Sequence, residues 1–359
     1  MYKILAINPG STSTKIALYE DENRIFIQNL EHDPASLSEF ETVYDQFEMR
    51  LAVVREALVA SGISREQRQL AAVVGRGGLL PPVESGAYEV NQAMIDQLRY
   101  RPGLEHASNL GAPLAKALAD LGRVKAYVYD PVTVDEMIPV VRITGLPEML
   151  RKSQGHNLNM RASAIRYARE TNRDYHSLTL IAVHLGGGIT MSLHHNGRMI
   201  DMISDDEGPF SPERAGGLPG FQLVDMMAAS GGDKKAAMHK WRHSGLLAHC
   251  GTTDAREIED RIEDGDVQAA LVYEAMALNV AKNVAKLSVV VSGDVDAIIL
   301  TGGLAYSELL TKWITERVKF IAPVILMPGE NEMESLALGA LRVLRGEEVA
   351  KTFTSPDFS

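Results

Sequence analysis

Two glycine-containing turns, each placed between two apolar strands, are the features of this sequence best suited to chemistry. They lie in Asn8-Pro-Gly-Ser-Thr-Ser-Thr-Lys15 and in His184-Leu-Gly-Gly-Gly188. Glycine lets a ligand approach the backbone, and hydroxyls, backbone N–H groups and a lysine can all donate to an anion. Both turns therefore predict phosphate binding, although an ordinary polar hairpin explains the first equally well. The predicted phosphate-binding residues are Gly10, Ser11, Ser13, Lys15, His184, Gly186, Gly187 and Gly188.

Two arginines occupy comparable settings in the two halves of the chain. Arg76 lies in Gly75-Arg-Gly-Gly78, and Arg214 lies in the glycine-rich loop between Gly208 and Gly217. An arginine bordered by glycine can bind a carboxylate or a phosphate with two parallel hydrogen bonds. Most arginines are simply surface charges, so the paired occurrence is what favours a functional interpretation.

Further candidates follow apolar strands or open a helix. Gly302 and Gly303 follow a strand and would let a flat ring or a phosphate approach the backbone, unless they form only a tight turn. Asp130 ends a strand and could equally be a turn residue before Pro131. Glu334 opens the last helix, where a first-turn acid is common for electrostatic reasons. From spacing alone His156 is a polar loop residue, and His239 with His243 matches no standard zinc motif.

Hydrophobic periodicity predicts the elements that would position these residues. Three strands are expected over 2–31 and again over 178–203, with strands at Leu70–Val74, Val124–Tyr129 and Asp296–Leu300. Helices are expected over Phe40–Leu58, Leu110–Leu121, Val267–Val291 and Glu334–Leu344. This order predicts a two-lobed α/β protein.

The first strand and turn also recur in the second half of the chain. Tyr2–Gly10 aligns with Leu178–Gly186 over nine residues without a gap. The repeat predicts a duplicated domain, with one lobe over 1–145, a nucleotide-binding lobe over 146–335, and 336–359 returning to the first lobe. Nucleotide phosphates are then expected in the cleft between the copies.

Composition restricts the classes of partner and compartment. The net charge of −11 argues against general nucleic-acid binding, so an anion site has to be built locally. The chain has a single cysteine, Cys250, which fits the reducing cytoplasm. No apolar run approaches the span of a bilayer, so we expect no membrane association.

Five motifs together resemble the acetate/butyrate kinase family, within the larger group that shares the duplicated ribonuclease-H-like fold of actin-like ATPases. They are Asn8–Lys15, Gly75–Gly78, His184–Gly188, Glu207–Arg214 and Thr301–Gly303. The resemblance runs nearly end to end. It implies reversible phosphorylation of a short carboxylic acid by ATP, giving ADP and an acyl phosphate, with Mg²⁺ required and with a homo-oligomeric assembly.

The resemblance also implies individual roles. It places Arg76 and Arg214 at the substrate carboxylate, His156 at the phosphoryl group in transfer, and Asn8 in the first phosphate loop. It makes Asp130 and Glu334 the acids that organise Mg²⁺, with Glu330 and Glu332 as neighbours that could replace Glu334. It puts Asp254 and Arg256 near the nucleotide, and Gly302 and Gly303 at the adenosine.

Departures from the acetate kinase pattern favour the butyrate branch, with isobutyrate and other branched acids as further substrates. Gly187 stands where acetate kinases usually have asparagine, and Leu304-Ala-Tyr-Ser307 replaces their Ile-Gly-Glu-Asn. Two alternatives stay open. One is an acetate or propionate kinase, and the other is an actin-like assembly protein whose polymer state follows its nucleotide.

Overall fold

The computed structural model describes residues 1–63 and 69–355, and it contains two compact units. The first unit comprises Met1–Asp135 and the chain from Asn331 onward, and the second comprises Glu136–Glu330. The sequence-based boundary near residue 145 stays a prediction. The last four residues of the expected C-terminal segment 336–359 lie outside the described residues.

The strands of the described residues are β1 (Lys3–Pro9), β2 (Ser13–Glu20), β3 (Asn23–Glu31), β4 (Leu70–Arg76), β5 (Ala87–Glu89), β6 (Lys125–Tyr129), β7 (Thr179–Leu185), β8 (Ile189–His195), β9 (Arg198–Ile203), β10 (Ala297–Gly302), β11 (Val324–Pro328) and β12 (Lys351–Thr352). The α-helices are α1 (Pro34–Leu37), α2 (Phe47–Ala60), α3 (Gln92–Tyr100), α4 (Gly111–Gly122), α5 (Pro139–Arg142), α6 (Asn157–Glu170), α7 (Gly220–Ala229), α8 (Lys234–Arg242), α9 (Leu246–Cys250), α10 (Ala255–Glu263), α11 (Val267–Ser288), α12 (Glu308–Val318) and α13 (Glu332–Arg345).

The two sheets share one strand order over five strands, and the first sheet has two additional strands, β5 and β12. The first runs β12-β5-β6-β4-β1-β2-β3 and the second runs β11-β10-β7-β8-β9. In each unit three antiparallel strands come first, and two later strands then add in parallel beside the first of them. The expected duplication of one α/β fold is therefore confirmed at the level of strand order and direction.

Helices cover the sheets and bring the chemistry-bearing ends of strands into place. In the first unit α4 packs so closely on β4 that a Cβ atom on Gly75 would lie 2.1 Å from the carbonyl oxygen of Gly111. The last helix, α13, packs on β1 and β4. In the second unit α11 and α12 pack together over an apolar core that includes β7, β8 and β10. No helix in the described part of the chain is long and apolar enough to cross a membrane.

Most predicted elements are present, but the first long helix begins later than expected. The periodic positions from Phe40 predict a helix that starts there, whereas α2 starts at Phe47 after a 3₁₀ turn at Tyr44–Gln46. Asp45 accepts hydrogen bonds from the N–H and the hydroxyl of Thr42, both at 2.8 Å. Such local side-chain bonds compete with helical pairing, which explains the late start.

Candidate functional site

Three predicted residues meet at one edge of the first sheet. Asn8 lies near the end of β1, Arg76 ends β4, and Asp130 directly follows β6. These strands are parallel neighbours, with Ile7 opposite Gly75 and Arg76 opposite Tyr129. The carboxyl ends of neighbouring parallel strands lie side by side, which is where α/β folds place their ligand-binding groups.

Glu332 joins Arg76 to Asn8. Its Oε1 accepts from Arg76 Nη1 at 2.9 Å, and its Oε2 accepts from Asn8 Nδ2 at 2.6 Å. The Arg76 side chain is only 10% exposed, whereas that of Glu332 is 32% exposed. One carboxylate therefore fixes two predicted site residues and still faces solvent in part.

The glutamate brought to this edge differs from the one singled out in the sequence. Glu334 lies instead near Tyr19, whose pKa is raised first by burial and then by the charge of Glu334. Both acids belong to the first turn of α13, so a shift of two residues decides which one faces Arg76. The only sequence signal for Glu332 was its position beside Glu334 in an acidic run.

His106, which the sequence did not indicate as a site residue, lies close enough to Arg76 for the arginine charge to affect its pKa. Partial burial and, second, the charge of Arg76 lower the pKa of the His106 imidazole. Its Nδ1 also faces the Ser108 hydroxyl at 2.8 Å, which orients the ring. The surrounding sequence carries no periodicity or motif that would have indicated it.

Asp130 has a backbone and a setting unlike those of a solvated turn residue. It is fully buried, with φ at +40°, in the left-handed region that aspartate tolerates better than most residues. Its Oδ1 accepts from the N–H of Gly86 at 2.6 Å. The carboxylate therefore helps to fix the chain at this end of the sheet.

The first predicted phosphate turn is short and internally bonded. Gly10 N–H donates to Ser13 O at 2.7 Å, which closes the turn between β1 and β2. Ser11 is exposed, Ser13 is half-buried, and Lys15 projects from β2 as an exposed residue opposite Asn8. The hydroxyls and the lysine are thus open to solvent around one turn.

In the second unit, His156 and His184 stack on each other. Their ring centroids are 3.9 Å apart and the planes differ by 12°. His184 Nδ1 lies 2.8 Å from Asn159 Oδ1 and its Nε2 lies 3.2 Å from Glu330 Oε1. His156 Nδ1 lies 3.0 Å from the Thr190 hydroxyl. Both predicted histidines are therefore brought together and oriented by named partners.

The second glycine turn is closely surrounded by side chains. A Cβ atom on Gly187 would lie 2.8 Å from Glu213 Oε1, and one on Gly188 would lie 2.1 Å from Arg214 Nη1. Ser211 Oγ donates to Gly187 O at 2.6 Å, which ties the Arg214 loop to the turn. Arg214 also pairs with Asp205. The structure therefore brings Arg214 to the turn, and only glycine leaves room for it.

The glycines predicted at the adenosine lie at the end of β10. Gly302 has φ at +90°, and a Cβ atom there would lie 2.3 Å from Leu185 O, beside the second glycine turn. Apart from its own chain neighbours, no described residue has an atom within 4 Å of the corresponding position on Gly303. A flat ring could approach the backbone there.

Asp254 and Arg256 form a local pair at the start of α10. Hydrogen bonds from Arg256 lower the pKa of Asp254 to about 2, and the Arg256 side chain is 88% exposed. Within the described ranges, no hydrogen bond joins this pair to the glycine turns.

Comparisons with known proteins decide the family. Residues 150–321 match the model of the acetokinase family. The chain is 49% identical to a protein of Caldanaerobacter subterraneus subsp. tengcongensis named "Probable butyrate kinase 2", over 98% of this chain and all of that protein. It is 47% identical to butyrate kinase 1 of Clostridium acetobutylicum, again over 98% of this chain and all of the relative.

The chain belongs to the acetokinase family. The resemblance that the five motifs predicted is thereby confirmed. Among solved structures, the acetate kinase of Porphyromonas gingivalis superposes with a TM-score of 0.78 at 20% identity, covering 96% of this chain and all of that one. This acetokinase therefore has the expected duplicated, actin-like α/β fold.

Proposed function

We propose that this protein transfers the γ-phosphoryl group of ATP to a short-chain carboxylate, with butyrate as the preferred substrate. The products are ADP and an acyl phosphate, and the reaction is reversible. The observation that carries the proposal is the 49% and 47% identity, over the whole length, to relatives named as butyrate kinases.

The charges at the candidate site suit this reaction. A carboxylate that attacks a γ-phosphoryl group has to overcome repulsion between two anions, and arginines offset it. Arg76 and Arg214 each already hold a carboxylate, from Glu332 and Asp205 respectively. Their guanidinium groups are thus oriented toward an anionic partner before a substrate arrives. We assign both arginines to the substrate carboxylate and the transferred phosphoryl group.

No general base is required of the protein. A carboxylic acid is deprotonated at neutral pH, so its oxygen is already a nucleophile. The protein's tasks are alignment and charge neutralisation. We assign His156 to the phosphoryl oxygens, with its ring held by the stack on His184 and by Thr190.

The glycine turns are assigned to the nucleotide. Gly10 to Lys15 and Gly186 to Gly188 would bind phosphates through backbone N–H groups, hydroxyls and the lysine. Gly302 and Gly303 would border the adenosine, where the open space at Gly303 suits a flat ring. Asp254 and Arg256 are assigned to the same nucleotide from the family resemblance alone.

We assign a Mg²⁺ ion that arrives with the nucleotide to carboxylates near the end of β4 in the first unit. Within residues 1–63 and 69–355, no group of three or more His, Cys, Asp or Glu side chains is placed to hold a metal. Magnesium usually retains several waters and takes one or two protein carboxylates together with substrate phosphates. Asp130 and Glu332 are the carboxylates that would hold it, with Glu334 as the neighbouring candidate. When bound, the ion would neutralise phosphate charge.

A small carboxylate and a nucleotide are thus the proposed partners. We further propose that the protein is cytoplasmic and forms a homo-oligomer. The boundary between its two domains is proposed to lie near residue 145. Size-exclusion chromatography with light scattering tests the assembly. A monomer at micromolar concentration would contradict it.

The decisive experiment measures ADP formation by the purified protein with and without butyrate, and traps the acyl phosphate with hydroxylamine. We expect ADP and acyl hydroxamate in equal amounts, both dependent on butyrate. ATP turnover that is the same with and without butyrate and rises steeply with protein concentration would instead favour the actin-like assembly protein.

A further inference from the structure

Arg50 is a fully buried arginine whose guanidinium faces the first glycine turn. Its Nη1 donates to Gly10 O at 2.9 Å and to Ser13 O at 3.0 Å, and its Nη2 donates to Ser11 O at 3.1 Å. Its Nε and Nη2 also donate to Gln46 Oε1, at 3.1 and 2.9 Å. Three of its six hydrogen bonds therefore go to backbone carbonyls of one turn, and the other three go to the side chains of Gln46 and Thr14.

These bonds fix the direction of the N–H groups on the turn. A planar trans peptide holds each carbonyl opposite the N–H of the next residue. Because Gly10 O and Ser11 O point toward Arg50, the N–H groups of Ser11 and Thr12 point away from it. Both residues are exposed, and in the described part of the chain neither N–H donates to a protein acceptor. Two adjacent outward N–H groups form a site for an anion.

The hydrogen-bond partners of the Arg50 guanidinium are all neutral groups. Among the described residues no carboxylate lies within ion-pair distance of its guanidinium, and Gln46 and Thr14 are neutral. Burial lowers its pKa to about 10, which still leaves it charged at neutral pH. Burial and then the charge of Arg50 lower the pKa of His32, whose Nε2 lies 2.8 Å from the Thr14 hydroxyl. A buried cation is costly unless it is compensated, and carbonyl dipoles compensate it only in part.

We propose that Arg50 is the positioning residue of the first phosphate turn: it holds the N–H groups of Ser11 and Thr12 outward and supplies the positive charge that a bound phosphate balances. The identity of that phosphate as part of a nucleotide rests on the proposed function. The direction of the N–H groups and the buried charge of Arg50 are independent of the proposed function.

Gln46 offers a variant that separates the charge of Arg50 from its structural role. Gln46→Glu has the same shape and keeps an acceptor for Nε and Nη2, but it adds a negative charge against the guanidinium. We expect it to melt at or above the wild-type temperature, yet to bind inorganic phosphate about tenfold more weakly at low salt. A variant whose stability holds while its anion affinity falls cannot be explained by damage to packing.

Arg50→Met and Arg50→Lys complete the series, with Arg55→Met on the exposed face of α2 as control. We expect Arg50→Met to raise KM for Mg-ATP roughly tenfold or more while KM for butyrate changes little. Arg50→Lys, which keeps the charge without the planar fork, should be intermediate. Arg55→Met should match the wild type. If Arg50→Met does not fold, Gln46→Glu and Arg50→Lys still decide the question.

Calorimetric titration with inorganic phosphate and steady-state kinetics are the two measurements. Wild-type affinity and KM in a folded Gln46→Glu or Arg50→Met protein would overturn the proposal, as would a wild type that binds no phosphate. Parallel increases in both KM values together with a lower melting temperature would mark a purely structural residue. The two proposals can also be separated. If the wild type shows no butyrate-dependent turnover but the variants still lose phosphate affinity, the proposed function is rejected and the inference about Arg50 holds.

Discussion

The guanidinium of Arg76 and the carboxylate of Glu332 lie 2.9 Å apart, although 256 residues separate them in the chain. The contact exists because α13 packs on β1 and β4, which sets its first turn beside the end of β4. An arginine held by a partly exposed carboxylate is oriented, and its charge is partly neutralised until an anionic substrate arrives. Removing Arg76 should therefore affect the enzyme differently from removing the charge of Glu332.

Arg76→Ala should lower kcat/KM by about a hundredfold to a thousandfold, because a charge-assisted contact made chiefly in the transition state contributes roughly 3–4 kcal/mol. Glu332→Gln keeps the shape and one acceptor, so Arg76 should stay in place and the larger change should be in the Mg²⁺ concentration needed for half-maximal rate. Steady-state kinetics at varied Mg²⁺ measure both. Near-normal kcat/KM in a folded Arg76→Ala protein would remove this arginine from the site.

The second glycine turn gives a test of how closely Arg214 has to be placed. An alanine Cβ at Gly188 would lie 2.1 Å from Arg214 Nη1, and that flexible side chain would have to move. Gly188→Ala should therefore fold normally and lose about a hundredfold in kcat/KM, as expected for a displacement of roughly 1 Å at a reacting centre. Gly220→Ala is the matched control, because a Cβ atom there meets no atom of the described residues within 4 Å beyond its own helix and chain neighbours. Equal activity of both variants would contradict the assigned role of Arg214.

Sequence reasoning was strongest where strand and motif coincide. The repeat of Tyr2–Gly10 at Leu178–Gly186 was enough to predict the duplicated sheet order, because an apolar strand followed by a glycine turn constrains both pairing and direction. It could not decide an outcome that depends on helix rotation. Glu332 and Glu334 differ by two residues, and only the packing of α13 decides which one reaches Arg76.

Residues that act from the interior were also beyond sequence reasoning. Arg50 lies three residues after Phe47 and four before Val54, on the apolar side of the amphipathic pattern, but an arginine is rarely fully buried. Its burial follows from the carbonyl groups that the Gly10–Thr14 turn presents to α2, and no local motif records that arrangement.

His194 predicts a pH dependence of stability. It is fully buried between Tyr175 Oη and Ser192 Oγ, each 2.8 Å from one ring nitrogen. Burial, with a smaller effect of the charge on Arg161, lowers its pKa from 6.5 to about 3. The unfolded chain therefore takes up this proton first as the pH falls. The stabilising contribution of neutral His194 is complete above pH 6.5 and decreases as the pH falls toward 3.

Urea unfolding between pH 7 and pH 4.5 tests this. Over that range the free energy of unfolding should fall more steeply in the wild type than in His194→Gln, by up to about 1.4 kcal/mol per pH unit, which corresponds to one proton. Identical slopes for the wild type and His194→Gln would show that His194 is not the group responsible.

The length of the acyl chain gives the sharpest test of the butyrate assignment. We propose that Phe210 and the prolines beside Arg214 form an apolar wall for the alkyl tail of the substrate. Each buried methylene contributes about 0.8 kcal/mol, so the two that distinguish butyrate from acetate should give a preference of roughly tenfold or somewhat more. A much larger preference is not expected, because hydrophobic pockets distinguish one methylene by only about 1–3 kcal/mol.

The measurement is kcat/KM for acetate, propionate, butyrate, isobutyrate and valerate at saturating Mg-ATP. A maximum at acetate or propionate would reject the butyrate assignment and leave the carboxylate kinase intact, whereas good turnover of isobutyrate would indicate a pocket wide enough for branched acids.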